Sequence, residues 1–225
     1  MITKLIAQTL VAYGLMAALL FGAAGTWRWP QAWVFIIEMV ASGIAIGVWL
    51  ARYDPGLLAE RMASPLQRGQ AAGDKALLLC LFIAWPAWLV FMALDAVRFN
   101  WSHLPAWTEI PGALLILVAM YAFYRTFREN SFAAPVVKIQ KERGQTVITT
   151  GPYGLVRHPM YAGGSLLFFG VPMLLGSGYG LALAPAWLIL LMLRIPLEER
   201  MLRENLDGYG DYMKRVRWRL VPGVW

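Results

Sequence analysis

The residues with the clearest potential for chemistry lie in two polar segments of the C-terminal third, 125–161 and 194–225. The first segment ends in the run RHPMY, which contains His158, Pro159 and Tyr161. Because proline at the first helical position sacrifices no hydrogen bond, this run predicts a helix that begins at Pro159. The free N–H groups of that helix start, beside His158, would suit an anionic ligand group. The alternative is a membrane-entry motif, with the cationic residues at the headgroups and the tyrosine in the aromatic belt.

The second polar segment begins with Arg194 and carries two adjacent carboxylates, Glu198 and Glu199. Arg194 and Glu198 are four residues apart, so they share one face of a helix. Glu199 points roughly 100° away from Glu198 around the helix axis. Taken alone, this pattern is typical of an ion pair at a helix end, which contributes about 0–1 kcal/mol.

The sequence offers no metal centre and no disulfide. Cys80 is the only cysteine, and the two histidines, His103 and His158, are predicted to lie on opposite sides of a membrane. The segment 144–153 has β-type residues between turn signals and predicts an extended loop or short strand that offers backbone groups. It lacks the glycine spacing of a dinucleotide-binding fingerprint.

The elements that must position these residues are apolar helices. The chain of 225 residues is 59% hydrophobic and only 15% charged, whereas a soluble domain is about 25% charged. A membrane-spanning helix needs ~20 apolar residues. Apolar blocks of that kind occupy 5–25, 32–50, 76–94, 107–124 and 159–193. The last block is uncharged, too long for one span and interrupted by glycines at 176–180, so it predicts either a hairpin of two short helices or two full spans.

The positive charges favour one orientation of these helices. If the N-terminus is cytoplasmic, 18 of the 20 lysines and arginines fall on the cytoplasmic side, and only Arg28 and Arg98 fall outside. This asymmetry follows the positive-inside rule and predicts that both termini are cytoplasmic. The net charge of +7 then marks a face suited to anionic membrane lipids rather than to nucleic acid. Glu38, within the second apolar block, is an ionisable residue in lipid and a candidate for a role that the sequence does not define.

A helical hairpin at 159–193 would return the chain to the side it left, so that His158 and Arg194 meet at one membrane face. The predicted fold is therefore all-α: a polytopic bundle of five to six transmembrane helices with a C-terminal hairpin and a cytoplasmic pocket. We expect residues 1–124 to form the N-terminal transmembrane helices, and residues 125–225 to carry the chemistry on a loop, the helical hairpin and a cytoplasmic tail.

The order and spacing of these motifs resemble the isoprenylcysteine carboxyl methyltransferase family, part of a wider group that includes phospholipid methyltransferases. The resemblance covers about residues 125–222, whereas the first 120 residues agree only in being apolar helices. In the run 206–212 the first part departs from the family pattern. The matching elements are Gln140, Gln145 to Ile148, Gly151-x-Tyr153, Arg157-His158-Pro159-x-Tyr161-x-Gly163 and Arg194-x-x-x-Glu198-Glu199.

The resemblance implies an integral membrane methyltransferase that uses S-adenosyl-L-methionine. Its substrate would be a lipophilic small molecule or a prenylated protein C-terminus, as in S-isoprenylcysteine carboxyl O-methylation. The resemblance places Arg194 against the reacting group of that substrate. If the acceptor were an amine or phenol, Glu199 or Tyr212 would be candidate proton acceptors. The implied cofactor contacts are Gln140, Gln145, Thr146, Val147, Ile148, Tyr153, His158, Pro159, Met160, Tyr161 and Glu198.

Two other functions remain open from the sequence. Membrane sterol reductases resemble this family in their C-terminal region and use NADPH, whose 2′-phosphate would need basic residues. Such residues are present at Lys138, Lys141, Arg143 and Arg157. The second alternative is a non-enzymatic membrane protein that retains the same scaffold and binds no cofactor.

Overall fold

The protein is described by a computed structural model that covers residues 1–64, 67, 70 and 72–225. Within these residues the secondary structure is entirely helical, with no strand, which confirms the predicted all-α membrane bundle. Arg68, one of the cationic residues assigned to the basic side, lies outside the described residues. Five helices in this part of the chain are long and apolar enough to cross a membrane: Ile2–Ala24, Pro30–Tyr53, Gly73–Arg98, Ala106–Glu129 and Gly178–Asn205.

The first half of the chain forms long helices with clear start and stop signals. The first helix ends at Gly25, whose φ of 71° requires a residue without a side chain. Pro30 and Pro55 each begin a helix, and the side chain of Asp54 caps the second of these by accepting from Leu57 N. The helices are α1 (Ile2–Ala24), α2 (Pro30–Tyr53), α3 (Pro55–Arg61), α4 (Ala72–Ala93, continued by a π-helical turn at Leu94–Arg98) and α5 (Glu109–Glu129).

The uncharged block forms the predicted hairpin, but its two arms differ in length. Helix α6 (Pro159–Leu175) has 17 residues and ends at Gly176 with φ 80°. The short helix α7 (Gly178–Ala182) then fills the turn, with Ser177 accepting from Gly180 N. Helix α8 (Ala184–Asn205) has 22 residues. The prediction that both arms are short is therefore wrong for the second arm, because charged residues after Arg194 continue the same helix beyond the apolar block.

Close backbone contact between α5 and α6 fixes the position of the hairpin. A Cβ atom at Gly112 would lie 2.4 Å from Leu174 N, and one at Gly163 would lie 2.8 Å from Ala122 Cβ. Only glycine permits this approach. On the other side of the hairpin, the rings of Trp88 and Trp187 lie 5.2 Å apart and connect α4 with α8. The start of α6 and the end of α8 are therefore held near the same end of the bundle.

The connection from α5 to α6 is irregular, as an extended loop would be. Residues 145–149 have no regular structure, and the expected turn at Gly151-Pro152 is one 3₁₀ turn, Gly151–Gly154. After α8, a last short helix α9 (Tyr209–Arg215) and an irregular tail close the described chain. Glu38 is half-buried in α2, and its Oε2 has no hydrogen-bond partner among the described residues.

Candidate active site

A cavity opens where the α5–α6 connection, the start of α6 and the end of α8 meet. The space between its walls is about 790 Å³ when the open mouth is included. Its walls are formed by residues of the connecting loop and of α6, α8 and α9. Its lining includes Asn130, Phe132, Val137, Lys138, Gln145, Thr146, Val147, Ile148, Tyr153, Arg157, His158, Pro159, Met160, Tyr161, Glu198, Leu202, Leu206, Tyr209 and Tyr212.

The structure brings most of the sequence-predicted site residues to this one cavity, and it leaves three of them behind its walls. The residues on the cavity surface are Gln145, Thr146, Val147, Ile148, Tyr153, His158, Pro159, Met160, Tyr161, Glu198 and Tyr212. Gln140, Arg194 and Glu199 are buried but do not line the cavity. Their roles as cofactor contact, substrate contact and proton acceptor stay predictions.

The hydrogen bond between Tyr161 and Glu198 joins the two arms of the hairpin at the cavity. Tyr161 Oη donates to Glu198 Oε2 at 2.5 Å, so residues on α6 and α8 meet directly. The His158 ring lies parallel to the Tyr161 ring, with centroids 5.5 Å apart. His158 is the residue before the first helical position of α6, as the proline signal predicted. The helix start and a carboxylate therefore face one shared space.

Gln140 shapes the cavity wall from behind. Its backbone N–H donates to Gln145 Oε1 at 2.8 Å, and its side-chain Nε2 donates to Phe132 O at 2.8 Å. Its Oε1 accepts from Arg143 Nη1 at 2.6 Å. These three contacts span both sides of the loop, so Gln140 holds the stretch 145–148 against the start of the same loop.

Helix α3 anchors the outer edge of this loop. Lys138 Nζ forms an ion pair with Glu60 Oε2 at 2.8 Å, and Arg61 Nη1 donates to Ala133 O at 2.9 Å. The Arg61 guanidinium lies 4.1 Å from the centroid of the Phe127 ring, and burial lowers the pKa of Arg61 to about 10. Arg61 remains a cation near pH 7, so the loop is fixed by charge-assisted contacts.

Glu199 is the centre of a buried charged cluster that the C-terminal tail completes. It accepts from Arg157 Nε at 2.7 Å and from Arg219 Nε at 3.0 Å, and it lies 3.2 Å from His158 Nε2. The tail also pairs with the start of α6, where His158 N donates to Arg219 O at 3.0 Å. With these partners, Glu199 orients His158 and fastens the tail, which favours a positioning role over proton acceptance.

Three tyrosines, Tyr153, Tyr209 and Tyr212, line the cavity together with His158. Tyr212 Oη donates to Tyr153 O at 2.8 Å, and Asn130 Nδ2 donates to Tyr153 Oη at 2.7 Å. Burial raises the pKa of Tyr153, Tyr209 and Tyr212 well above the usual phenol range. All three are therefore neutral phenols at physiological pH, which does not favour Tyr212 as a proton acceptor. The buried Tyr209 hydroxyl has no hydrogen-bond partner among the described residues.

Arg194 lies behind Tyr161, within an ion pair that sequence analysis did not identify. Its Nε donates to Asp74 Oδ1 at 2.7 Å and its Nη2 donates to Pro135 O at 2.7 Å. Its guanidinium carbon is 5.6 Å from the Tyr161 ring centroid. The arginine is thus one residue away from the cavity surface in this structure.

Sequence analysis also missed part of the lining. Leu202 and Leu206 follow Glu198 at intervals of four residues, so the helical face that carries Glu198 could have identified them. Asn130 and Phe132 lie in an irregular loop after α5, where no periodic signal exists. Asp74 comes from the start of α4 and reaches the site only through tertiary packing.

The cavity residues fit the chemistry of S-adenosylmethionine. Val147, Ile148 and Leu202 provide apolar surface for an adenine ring. The backbone N–H groups of Val147 and Ile148 make no hydrogen bond within the described part of the chain and can meet the ring edge. Glu198 can accept from ribose hydroxyls or an ammonium group. Among the described residues there is no cluster of three metal-ligating side chains.

Comparison with known proteins gives two similarities in this region. Residues 107–208, slightly less than half of the chain, match the family described as phospholipid methyltransferase. The chain is also 28% identical, over 158 residues, to a Delta(14)-sterol reductase of Mus musculus. That alignment covers 62% of this chain and 37% of the reductase, so the chain spans well under half of that relative's length. The resemblance to the wider methyltransferase group is confirmed, and the isoprenylcysteine branch stays a prediction.

Proposed function

We propose that this protein is an integral membrane methyltransferase that transfers a methyl group from S-adenosylmethionine to a lipophilic acceptor. The observation that carries the proposal is one cavity whose lining includes Tyr161 and Glu198, hydrogen-bonded across the hairpin, and the apolar residues Val147 and Ile148. The match to phospholipid methyltransferases over residues 107–208 supports it, because the cavity walls from Asn130 to Leu206 fall within that range.

The cofactor, when bound, would supply an electrophilic methyl group on a sulfonium sulfur. The protein's contribution to such an in-line displacement is alignment and exclusion of water, which together can lower a barrier by ~7–11 kcal/mol. Val147, Ile148 and Leu202 would exclude water from the adenine side. Glu198, fixed by Tyr161, would hold the polar end of the ligand.

The acceptor would be a membrane lipid or a prenylated peptide, entering from the bilayer while the polar cofactor enters from the cytoplasm. The five apolar helices support separate entry routes for the two ligands, because a lipophilic substrate can approach between these helices without leaving the membrane. A carboxylate acceptor, as in isoprenylcysteine, would need no general base. An amine acceptor, as in a phospholipid headgroup, would need a proton acceptor, and Glu198 lies on the cavity surface.

A reductase that uses NADPH is the second candidate, and the similarity to a Delta(14)-sterol reductase favours it. The basic residues that could hold a 2′-phosphate are largely occupied. Lys138 is paired with Glu60, Arg157 with Glu199, and Arg143 contacts Gln140 and Asp54. Lys141 is exposed and outside the cavity lining. This pattern of occupied cations supports the methyl donor over NADPH.

Ligand binding to the detergent-purified protein separates the candidates. Isothermal titration with S-adenosylhomocysteine and with NADPH should show binding of the first and not of the second. Methyl transfer is then measured with radiolabelled S-adenosylmethionine and a host lipid extract, and mass spectrometry identifies the labelled product. Binding of NADPH alone would support the reductase. Binding of neither ligand would support a non-enzymatic scaffold.

A further inference from the structure

Asp74 is the one carboxylate of the first half of the chain that the described contacts connect to Arg194. It lies in the first turn of α4 and is fully buried. Its Oδ1 accepts from Arg194 Nε at 2.7 Å. Its Oδ2 accepts from Gln70 Nε2 at 2.8 Å and from Val137 N at 2.9 Å. Both carboxylate oxygens are therefore occupied by donors from three separate segments.

The same contacts fix Arg194 in one orientation. Its Nε donates to Asp74 and its Nη2 donates to Pro135 O at 2.7 Å, so two segments of the chain bind the same guanidinium. The Nη1 group has no hydrogen-bond partner among the described residues. Because the guanidinium also lies over the Tyr161 ring, the unused donors are next to the residue that binds Glu198.

Stability alone does not account for such a pair. A buried ion pair gains little over apolar residues of similar volume, because desolvation offsets the Coulomb attraction. The ion pair instead holds the long, flexible Arg194 side chain in one conformation, so that its guanidinium donors have fixed directions. It also ties the loop at Val137, which lines the cavity, to α4 and α8.

We propose that Asp74 is a positioning residue for methyl transfer, which holds the Arg194 guanidinium so that its free Nη1 donors meet the acceptor's reacting group. This role rests on the proposed function. In the transfer, the bond between methyl carbon and sulfur breaks as the bond to the acceptor atom forms, and S-adenosylhomocysteine is the leaving product. Asp74 forms no bond and exchanges no proton. Acceptor positioning would thus depend on contacts between both halves of the chain.

The test compares Asp74→Asn and Asp74→Glu with Asp95→Asn. Asp95 is a matched control because it is equally buried and lies beyond the other end of α4, away from the cavity. Each variant is assayed for S-adenosylhomocysteine affinity by calorimetry, for melting temperature, and for kcat and KM. The acceptor is a vesicle of phosphatidylethanolamine and phosphatidylglycerol that carries an S-farnesylated cysteine peptide, so that both acceptor types are offered.

Asp74→Asn should keep the affinity for S-adenosylhomocysteine and lose ~10²-fold in kcat, the scale of a 1 Å misplacement. Asp74→Glu should recover part of that loss because it keeps the charge, and Asp95→Asn should retain wild-type kcat. Wild-type kcat in Asp74→Asn would overturn the proposal, as would a parallel loss of affinity, melting temperature and kcat. If the wild-type protein binds no S-adenosylhomocysteine, the proposed function fails first, and this role for Asp74 fails with it.

Discussion

The two buried carboxylates near opposite ends of α4 have contrasting surroundings. Asp74 is bound by Arg194, Gln70 and a backbone amide, and its network continues to the cavity. Asp95 accepts from the hydroxyls of Ser102 and Ser177, both at 2.6 Å, and from the Tyr179 amide at 3.3 Å. The first carboxylate is matched by a cation, whereas the second is matched by neutral donors.

This difference shows that burial of a carboxylate does not by itself mark a chemical site. The Asp95 contacts fasten the loop before α5 to the turn after α6, and its two hydroxyl donors belong to connecting segments. The Asp74 contacts end at Arg194, whose guanidinium lies over Tyr161 on the cavity surface. The two carboxylates differ in whether their contacts lead to a residue on the cavity surface. Variants at each end of α4 can test whether this difference matters for function.

Arg194→Ala should have the largest effect. It leaves Asp74 buried without its cation, which costs about 3–5 kcal/mol of folding free energy, and it removes the predicted contact to the acceptor. We expect methyl transfer to fall to background and the melting temperature in detergent to drop. Affinity for S-adenosylhomocysteine, measured on the folded fraction, should remain, because Arg194 does not line the cavity.

A double variant separates the two consequences of losing Arg194. Arg194→Met combined with Asp74→Leu removes both charges, so stability should return while methyl transfer stays at background. Normal methylation in Arg194→Ala would refute the substrate contact. If the double variant does not regain stability, the ion pair stabilises the folded protein by more than the free energy lost in desolvating its two charges.

Glu198→Ala should have the next largest effect, and that effect should be a loss of cofactor affinity. A hydrogen bond to a charged group is worth about 1.5–3 kcal/mol, so affinity for S-adenosylhomocysteine should fall roughly 10- to 100-fold. Tyr161→Phe removes only the partner that orients Glu198 and should weaken binding less. Glu204→Ala, on the exposed end of the same helix, is the control. Unchanged affinity in Glu198→Ala would remove this residue from the cofactor site.

The helical architecture was predictable because hydropathy reports directly on membrane helices. That the start of α6 and the last part of α8 meet followed from the uncharged block, since a turn in its middle returns the chain to the same side. The length of α8 was not predictable in the same way. Hydropathy marks where the apolar run ends, near Arg194, whereas the helix continues to Asn205 with Glu199 buried.

The ion pair of Arg194 with Asp74 could not be predicted, because no local pattern connects residues so distant in the chain. Asp74 lies just before the third apolar block, where a charged residue is normally a solvated helix start. Its burial depends on the loop at Pro135 and Val137 folding over it, and that loop has no periodic pattern. The family resemblance predicted which residues contact the cofactor. Only the packed structure shows which of these residues line the cavity and which, such as Gln140, lie behind its wall.

Arg219→Ala should have a moderate effect on stability and on S-adenosylhomocysteine binding. The side chain is 31% exposed and supplies one of the contacts to Glu199, while Arg157 remains in place. We expect a loss of about 1 kcal/mol in stability and a small rise in the dissociation constant for S-adenosylhomocysteine, because the tail loosens over His158. Arg217→Ala, an exposed neighbour that contributes a backbone carbonyl, is the control. Equal behaviour of both variants would show that the Glu199 contact is not needed to hold the tail.

Tyr212→Phe should have the smallest effect, and its pH dependence identifies what the phenol does. The variant loses one hydrogen bond, to Tyr153 O, so turnover near pH 7 should change by less than about tenfold. Because burial raises the pKa of Tyr212, its stabilising effect is complete below the unfolded phenol value of 10.0 and declines as pH rises above it. The stability difference between wild type and variant should therefore narrow in unfolding measurements above pH 10. A loss of turnover of ~10²-fold or more, with an altered pH profile, would instead identify Tyr212 as the proton acceptor.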